Sequence, residues 1–417
     1  MASLDEALLQ SDVVVLTLPL TEETRHMMNE QRFAKMKRIC IVTTMWTSIH
    51  NWFRPIFEEY KKLGVDVTVV CNMSKEYEQE LNEQYPYIHT KSFPFPRGIS
   101  VGGSLRSIRD LTKYFKKEKF DYVQYHTPNA AFYASTASKK AKVPFRVYGQ
   151  WGIRYITFSG IKRMIFKFIE KRTCAASTHV RAQSPKNRLF NISEGICRED
   201  KISVIGIGGT IGVDFKEFDI SKYAEYRKEI RARHNIQDDE FIFGYIGRIH
   251  RDKGINELIE AFQQTMDAKL LLVGDLDKNY SPTQENLAFI EGNESVIVTG
   301  RVPHEDVPKY LCAMDILVHP TYREGFGHIL QEAMTMGVPV ITTDVPGPSE
   351  VVEEDISGKL VPVQNGEELG KEMQALMFDE ERRKKYAENG RIRAEKYFEQ
   401  SIMVGHIITD YKQMLDL

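Results

Sequence analysis

Residues 315–343 read DILVHPTYREGFGHILQEAMTMGVPVITT. An apolar run ends at His319-Pro320, a polar loop carries Gly325 and Gly327, a helix-like run starts near Gly327, and a second apolar run follows at 340–343. Strand, loop, helix and strand in this order form a βαβ unit, which requires a parallel sheet. The glycines let backbone approach a ligand closely, and free N–H groups at a helix start face an anion. Glu324 lies in the loop, and Glu332 follows eight residues later in the helix. An extended loop and about a turn and a half of helix aim both carboxylates at one ligand. One carboxylate would meet sugar hydroxyls and the other a ribose, with a diphosphate between them over the glycines; carboxylates accept from vicinal hydroxyls better than neutral groups do. An ordinary surface glutamate on a helix would leave the glycine spacing unexplained.

The same rhythm extends in both directions. RICIVTTMW, VDVTVVCN, FDYVQYHT, RVYGQW and THVRAQS read as strands, with helix-like stretches such as NWFRPIFEEYKKLG and NAAFYASTASKKAKV between them. After residue 222 a second series begins: EFIFGYIGRI, AKLLLVGD, SVIVTG, DILVHP and PVITTD. Short apolar runs with loops at their carboxyl ends fit buried parallel strands, and ligands bind at those ends. The predicted architecture is α/β, with two Rossmann-like, doubly wound parallel-sheet domains facing across a cleft. The expected divisions are residues 36–212, a linker near 212–222, residues 223–395, and a C-terminal helical segment 396–417 that crosses back to the first domain.

The 417 residues exceed one ordinary core, and 42% hydrophobic with 27% charged residues is a globular composition. The five cysteines are scattered and lack C-x-x-C spacing, which points to a reducing compartment without a disulfide frame or zinc site. No apolar run is long enough to span a bilayer, and the N-terminus lacks the pattern of a signal peptide. The net charge is −2, yet residues 101–190 hold 19 Lys+Arg against 4 Asp+Glu, a balance of +15 that leaves −17 elsewhere. Such asymmetry directs the first half towards an anionic partner. No nucleic-acid-binding module is present.

Several motifs compete. ISVIGIGGTIG supplies Gly206 and Gly208, but Ile211 stands where a dinucleotide fingerprint needs glycine, and a loop follows. It reads as a domain-linking turn. Asp275 and Asp277 form an Asp-x-Asp pair able to hold a metal beside a diphosphate, but a polar strand-end turn explains them as well. GYIGRIHRDKG is stronger: Gly247, Arg248 and Lys253 lie on a strand-to-helix loop, where two cations and a helix N-terminus make an anion site.

Together, E-x7-E enclosing G-F-G, the downstream GVPVI, GPSEVV and SGKLV, and the upstream GRIHRDKG resemble glycosyltransferase family 4. TTMWTSIHNWFRPIFEEYKKLGVDVTVVCN and HTPNAAFYASTASKKAKVPFRVYG resemble the branch that assembles capsular and surface glycans. The resemblance covers residues 37 to about 415 and implies the GT-B fold with a retaining sugar transfer from a nucleotide donor, a UDP-sugar by default. By motif match, Arg248 and Lys253 would neutralise the diphosphate and Glu324 would bind donor-sugar hydroxyls. Gly247 and backbone groups of Gly325, Phe326, Gly327 and His328 would contact the donor. Ile329 and Leu330 would line the nucleotide pocket, and Glu332 would hold the ribose. Neither a metal nor another cofactor is implied. The family histidine of the acceptor domain is replaced in the YGQWG region, so His126, Gln150, Trp151, Trp46 and His50 are the acceptor-side candidates.

FSGIKRMIFKFIEKR places Phe158, Ile161, Ile165, Phe168 and Ile169 on one helical face, ringed by Lys162, Arg163, Lys167, Lys171 and Arg172. A basic amphipathic helix fits an anionic membrane surface, and with it a lipid-diphosphate-linked saccharide acceptor at the cytoplasmic face. Residues 1–35 separately resemble an internal piece of the D-2-hydroxyacid dehydrogenases, without that family's glycine turn or catalytic residues. They read as an appended segment with no catalytic role. The rival readings are a nucleotide-sugar binder or epimerase on the same fold, and an NAD-dependent dehydrogenase.

Overall fold

The computed structural model describes residues 37–96, 101–265, 267–277 and 280–415. The dehydrogenase-like residues 1–35 lie outside the described residues.

The first sheet has seven strands: β1 (Arg38–Met45), β2 (Asp66–Asn72), β3 (Ile88–Ser92), β4 (Tyr122–Tyr125), β5 (Phe145–Gln150), β6 (His179–Ala182) and β7 (Ile202–Val204), in the order β3-β2-β1-β4-β5-β6-β7. The second has six: β8 (Phe241–Ile246), β9 (Ala268–Val273), β10 (Val296–Gly300), β11 (Ile316–His319), β12 (Val340–Thr343) and β13 (Lys359–Val361), in the order β10-β9-β8-β11-β12-β13. Every strand pairing in both sheets is parallel.

The strands read as continuous apolar runs because both sheet faces are covered. In β1, Cys40 and Val42 enter one cluster while Ile39 and Ile41 enter the other. In β8, Ile242 and Ile246 face one core, and Phe243 and Tyr245 the opposite one. Each sheet reverses its winding direction once, between β1 and β4 and between β8 and β11, which opens a crevice at the carboxyl ends of those strands.

The chain crosses between domains twice, side by side. Val213 N–H donates to Phe398 O at 2.7 Å, and Gln400 N–H donates to Val213 O at 2.9 Å. Gly208 explains the glycine-rich run before this point. Its φ is +113°, and a Cβ there would press on the Gln183 carbonyl and the Phe326 ring. The fingerprint-like stretch is thus a close-packed interdomain turn.

The helix Glu380–Tyr397 ends at Phe398, and the helix Gln400–Leu415 then lies on the first domain. Its Ile408, Tyr411, Met414 and Leu415 join the cluster of Ile39, Phe57 and Tyr60. Tyr60 Oη donates to Tyr411 Oη at 2.8 Å, Tyr411 Oη donates to Gln124, and Arg181 pairs with Asp410 at 2.6 Å. The C-terminal helix is therefore part of the first domain's core. Tyr411→Ala is expected to cost on the order of 3 kcal/mol through lost burial and a residual cavity, seen as a lower urea midpoint. An unchanged midpoint would mean that this helix adds nothing to the core.

Candidate active site

The crevice between β8 and β11 gathers the charged groups. Beyond β8 the chain runs through Gly247 and Arg248 to a short turn, Arg251–Lys253, closed by Gly254 at φ +73°. Gly254 is required there because a Cβ would collide with the Pro320 carbonyl beyond β11. Tyr322 N–H donates to Asp252 O at 2.9 Å and ties the two loops together. This closeness brings the Lys253 ammonium onto the Glu324 carboxylate as an ion pair. His319, buried at the end of β11, sits with Nε2 3.5 Å from the same carboxylate oxygen.

Burial pushes the Glu324 carboxyl up, but the Lys253 charge and then His319 outweigh it and hold the group well below the usual carboxylate range. Glu324 stays ionised. Arg248 reaches across the same space, exposed, with Nη1 3.5 Å from Asp277. Arg248, Lys253, Glu324 and Gly325 line a cavity of about 1030 Å³ that Trp151 and Gly152 of the first domain close from the other side.

A second hollow of about 1360 Å³ holds Glu332, with His50, Trp52, His304 and His328 around it. Glu332 is buried, and His304 Nε2 lies 3.0 Å from its Oε1. The other ring nitrogen of His304 is 2.9 Å from Glu217, and His328 Nδ1 is 3.6 Å from Glu332. The Trp52 and His328 rings meet across the domain boundary at 5.1 Å.

Other sites expected from the sequence are placed differently. Leu330 is fully buried in the second domain's core and lines neither hollow, and Ile329 packs against the same cluster. Their apolar spacing serves helix packing. The Phe326 ring is also core, edge-on to Phe398 at 6.0 Å, and Gly327 starts the helix His328–Thr335 with φ +92°. Gln150, expected to face an acceptor, is buried in a relay. Its amide donates to Glu170 at 2.6 Å and to Asn191 at 3.0 Å. The Trp46 ring packs at a tilt against Tyr77, 4.4 Å between centroids, away from the cavity lined by Lys253 and Glu324. His126 lies against Trp151 at 4.2 Å, and burial lowers its pKa to about 3, so it is neutral. Asp275 accepts from Arg301 N–H at 3.1 Å, while Asp277 faces Arg248.

Four residues that the sequence reading did not single out matter here: His319, His304, Arg323 and Asn187. Asn187 Nδ2 donates to the Gly325 carbonyl at 2.9 Å and pins the loop beside Glu324 from the first domain. Only His319 carried a signal, the His-Pro that ends its strand.

Known proteins match this arrangement. The model for glycosyl transferases group 1 matches residues 226–393, and that for glycosyl transferase 4-like proteins matches 38–184. The capsular polysaccharide biosynthesis glycosyltransferase CapM of Staphylococcus aureus is 31% identical over 385 residues, covering 91% of this chain and 98% of its own. The chain belongs to glycosyltransferase family 4. Another relative is the N,N'-diacetylbacillosaminyl-diphospho-undecaprenol alpha-1,3-N-acetylgalactosaminyltransferase of Campylobacter jejuni, 25% identical, with 88% and 96% of the two chains covered. HepE of Anabaena, solved in complex with UDP, superposes with a TM-score of 0.71 at 20% identity, over 91% of this chain and 100% of that one. The two sheets are the two domains of the GT-B fold. The NAD-binding-domain model of the D-isomer specific 2-hydroxyacid dehydrogenases matches residues 1–44. Its last residues are β1, which pairs with β2 and β4 inside the transferase sheet.

In this transferase, Glu217 and then Glu332 hold the His304 imidazolium up to about 10, against an ordinary 6.5. A raised folded-state pKa means that the stabilisation is complete below about pH 6.5 and is lost as pH rises through about 10. Nitrogen NMR of His304 is expected to titrate near 10 and to fall towards 6.5 in Glu217→Gln. Titration near 6.5 in the unmodified protein would show that the bridge does not form.

Proposed function

We propose that this enzyme is a retaining glycosyltransferase that moves a hexosyl or N-acetylhexosaminyl group from a UDP-sugar to a lipid-linked saccharide. It acts in surface-polysaccharide assembly, peripherally, on the anionic inner face of the cell membrane. The observation that carries this reading is the Lys253–Glu324 pair beside Arg248 at the β8/β11 crevice. The Glu324 carboxylate, held ionised by Lys253, shares one cavity with Arg248 and Lys253. A bound donor separates their tasks: Lys253 and Arg248 take the diphosphate oxygens, and Glu324 takes sugar hydroxyls.

In the reaction, the bond between the anomeric carbon and the diphosphate oxygen breaks, and the diphosphate leaves with the electron pair. The acceptor oxygen bonds to that carbon on the same face, and its proton passes to the departing phosphate. Fixed cations stabilise the developing charge without reorganisation, so neither a metal nor a protein nucleophile is required. Glu332 holds the ribose, exchanging His304 for hydroxyls. The names of the Staphylococcus aureus and Campylobacter jejuni relatives support the polysaccharide and lipid-diphosphate parts of this reading.

The test is a thermal-shift titration with UDP, GDP, ADP and NAD in EDTA, followed by turnover with radiolabelled UDP-sugars. UDP is expected to raise the melting point through mass action, and Arg248→Ala to abolish the shift. Lys253→Ala should lower kcat by about 10²–10³-fold, the cost of one lost electrostatic contact to the developing charge. A shift with NAD alone, or turnover that disappears in EDTA, would contradict the assignment.

A further inference from the structure

Glu324 is held by partners of very different mobility. Its Oε1 accepts from the Gly325 N–H at 3.2 Å, while Oε2 takes both the Lys253 ammonium and, at 3.5 Å, His319 Nε2. Lys253 ends a flexible stem and lines the cavity. His319 is 2% exposed, and its ring is stacked on that of Tyr245, with 13° between the planes and 5.8 Å between centroids. Its backbone is fixed as well: Thr342 Oγ1 donates to the His319 carbonyl at 2.8 Å, and Thr321 N–H donates to it at 2.9 Å.

The proton of His319 can be placed. Burial lowers the pKa of the ring, so it is neutral and carries one proton. The charged groups facing it are Glu324 beyond β11 and Lys253 in the turn after β8; Tyr245 of β8 is kept a neutral phenol by burial. Nδ1 is buried and has no hydrogen-bond partner among the described residues. A proton on Nδ1 would be an orphaned donor, and the Nε2 lone pair would face a carboxylate. A proton on Nε2 donates to Glu324 and leaves only a lone pair bare, which costs less.

The second ring of the stack reaches the other loop. Tyr245 Oη donates to the Arg248 carbonyl at 2.7 Å, and Gly247 leaves room for that hydroxyl, which would lie 2.9 Å from a Cβ there. One buried pair of rings thus backs both the Glu324 carboxylate and the loop of Arg248. Neither ring can follow a ligand. Lys253 can, because its ammonium is a mobile point charge that a diphosphate draws away. Glu324 would then face a cleft dried by the ligand without its counter-ion, where burial favours the neutral acid.

We propose that His319, stacked on Tyr245, is a positioning residue: it holds the Glu324 carboxylate ionised and aimed at the sugar while Lys253 serves the diphosphate. The proposal rests on the transferase reading above and adds what keeps Glu324 in place once its counter-ion is engaged.

Steady-state kinetics of the full chain with the UDP-sugar it turns over, alongside calorimetric titration with UDP, tests this. His319→Leu removes the donor, and His319→Gln restores an N–H at similar reach. His319→Leu is expected to lower kcat about tenfold or more, the cost of a lost hydrogen bond to a charged group. The acid limb of its kcat profile, which reports groups in the bound complex, should move to higher pH, because a carboxylate without its donor protonates sooner as pH falls. His319→Gln should return both the rate and the limb towards those of the unmodified protein. UDP, which lacks the sugar, should bind both variants, and this also shows that they are folded. Should the leucine variant fail to fold, His319→Asn, whose shorter amide falls short of Glu324, is expected to give the same loss. An unmoved acid limb, or a glutamine variant as slow as the leucine one while both bind UDP, would overturn the proposal. Unmodified protein that turns over a UDP-sugar but is indifferent to these changes refutes only this inference; protein that neither binds UDP nor turns over any UDP-sugar refutes the reading beneath it.

Discussion

A carboxylate kept ionised inside a half-closed cleft is the constraint on which this structure turns. Glu324 loses water by lying between two domains, and burial alone would drive it towards the neutral acid. Lys253 reverses that, with His319 behind it. The pair exists only because β8 and β11 are neighbours and because Gly254 lets the Lys253 turn pass under Pro320. A buried ion pair is weak evidence for stability, since desolvation offsets much of the attraction. What the pair does secure is a carboxylate that stays ionised inside the cleft.

The domains are fitted together around that pair. The helix Pro185–Ser193 of the first domain presents Asn187 to the Gly325 carbonyl, and Lys186 N–H donates to Glu350 at 2.7 Å. Asn187 is backed by Asn191, whose amide donates to the Asn187 carbonyl at 2.8 Å and to Gln150 at 2.7 Å. Gln150 in turn binds Glu170, on a helix with an exposed apolar ridge. A continuous buried polar chain therefore runs from the helix Gly160–Ala176 to the loop beside Glu324. Its groups are mutually satisfied, which is how a buried polar network stays rigid.

Much of this was legible in the sequence because it depends on local periodicity. The apolar runs gave the strands, and their loop-terminated carboxyl ends gave the site's location. The linker glycines were separable from a nucleotide fingerprint by one isoleucine, Ile211. Residues brought in from afar were not legible. His304 meets Glu332 across 28 positions, and Asn187 meets Gly325 across 138. Nothing local distinguishes such residues from solvated ones. Leu330 misled for the opposite reason: it lies inside the motif, but helix packing claims its side chain. Gln150 stands at a strand's carboxyl end, where ligands bind, yet its amide is consumed by Glu170 and Asn191.

The glycines of the opening stretch follow from the shape of the space. The hollows of Glu324 and Glu332 share no lining residue, and the chain between them is Gly325 to Gln331. Trp151, Trp52 and His328 form an aromatic partition above that strip, with Trp52 6.1 Å from Trp151. A Cβ at Gly325 would strike the Trp151 carbonyl, so any larger residue would push the domains apart. A ligand touching both carboxylates must pass under the partition, against bare backbone, at the start of a helix. The group best suited to that passage is narrow, anionic and flexible, with hydroxyl-rich rings at both ends. A sugar joined through a diphosphate to a ribose has that form, and the glycines themselves answer to the protein: Gly325 to the Trp151 carbonyl against it, Gly327 to the φ of +92° that starts the helix.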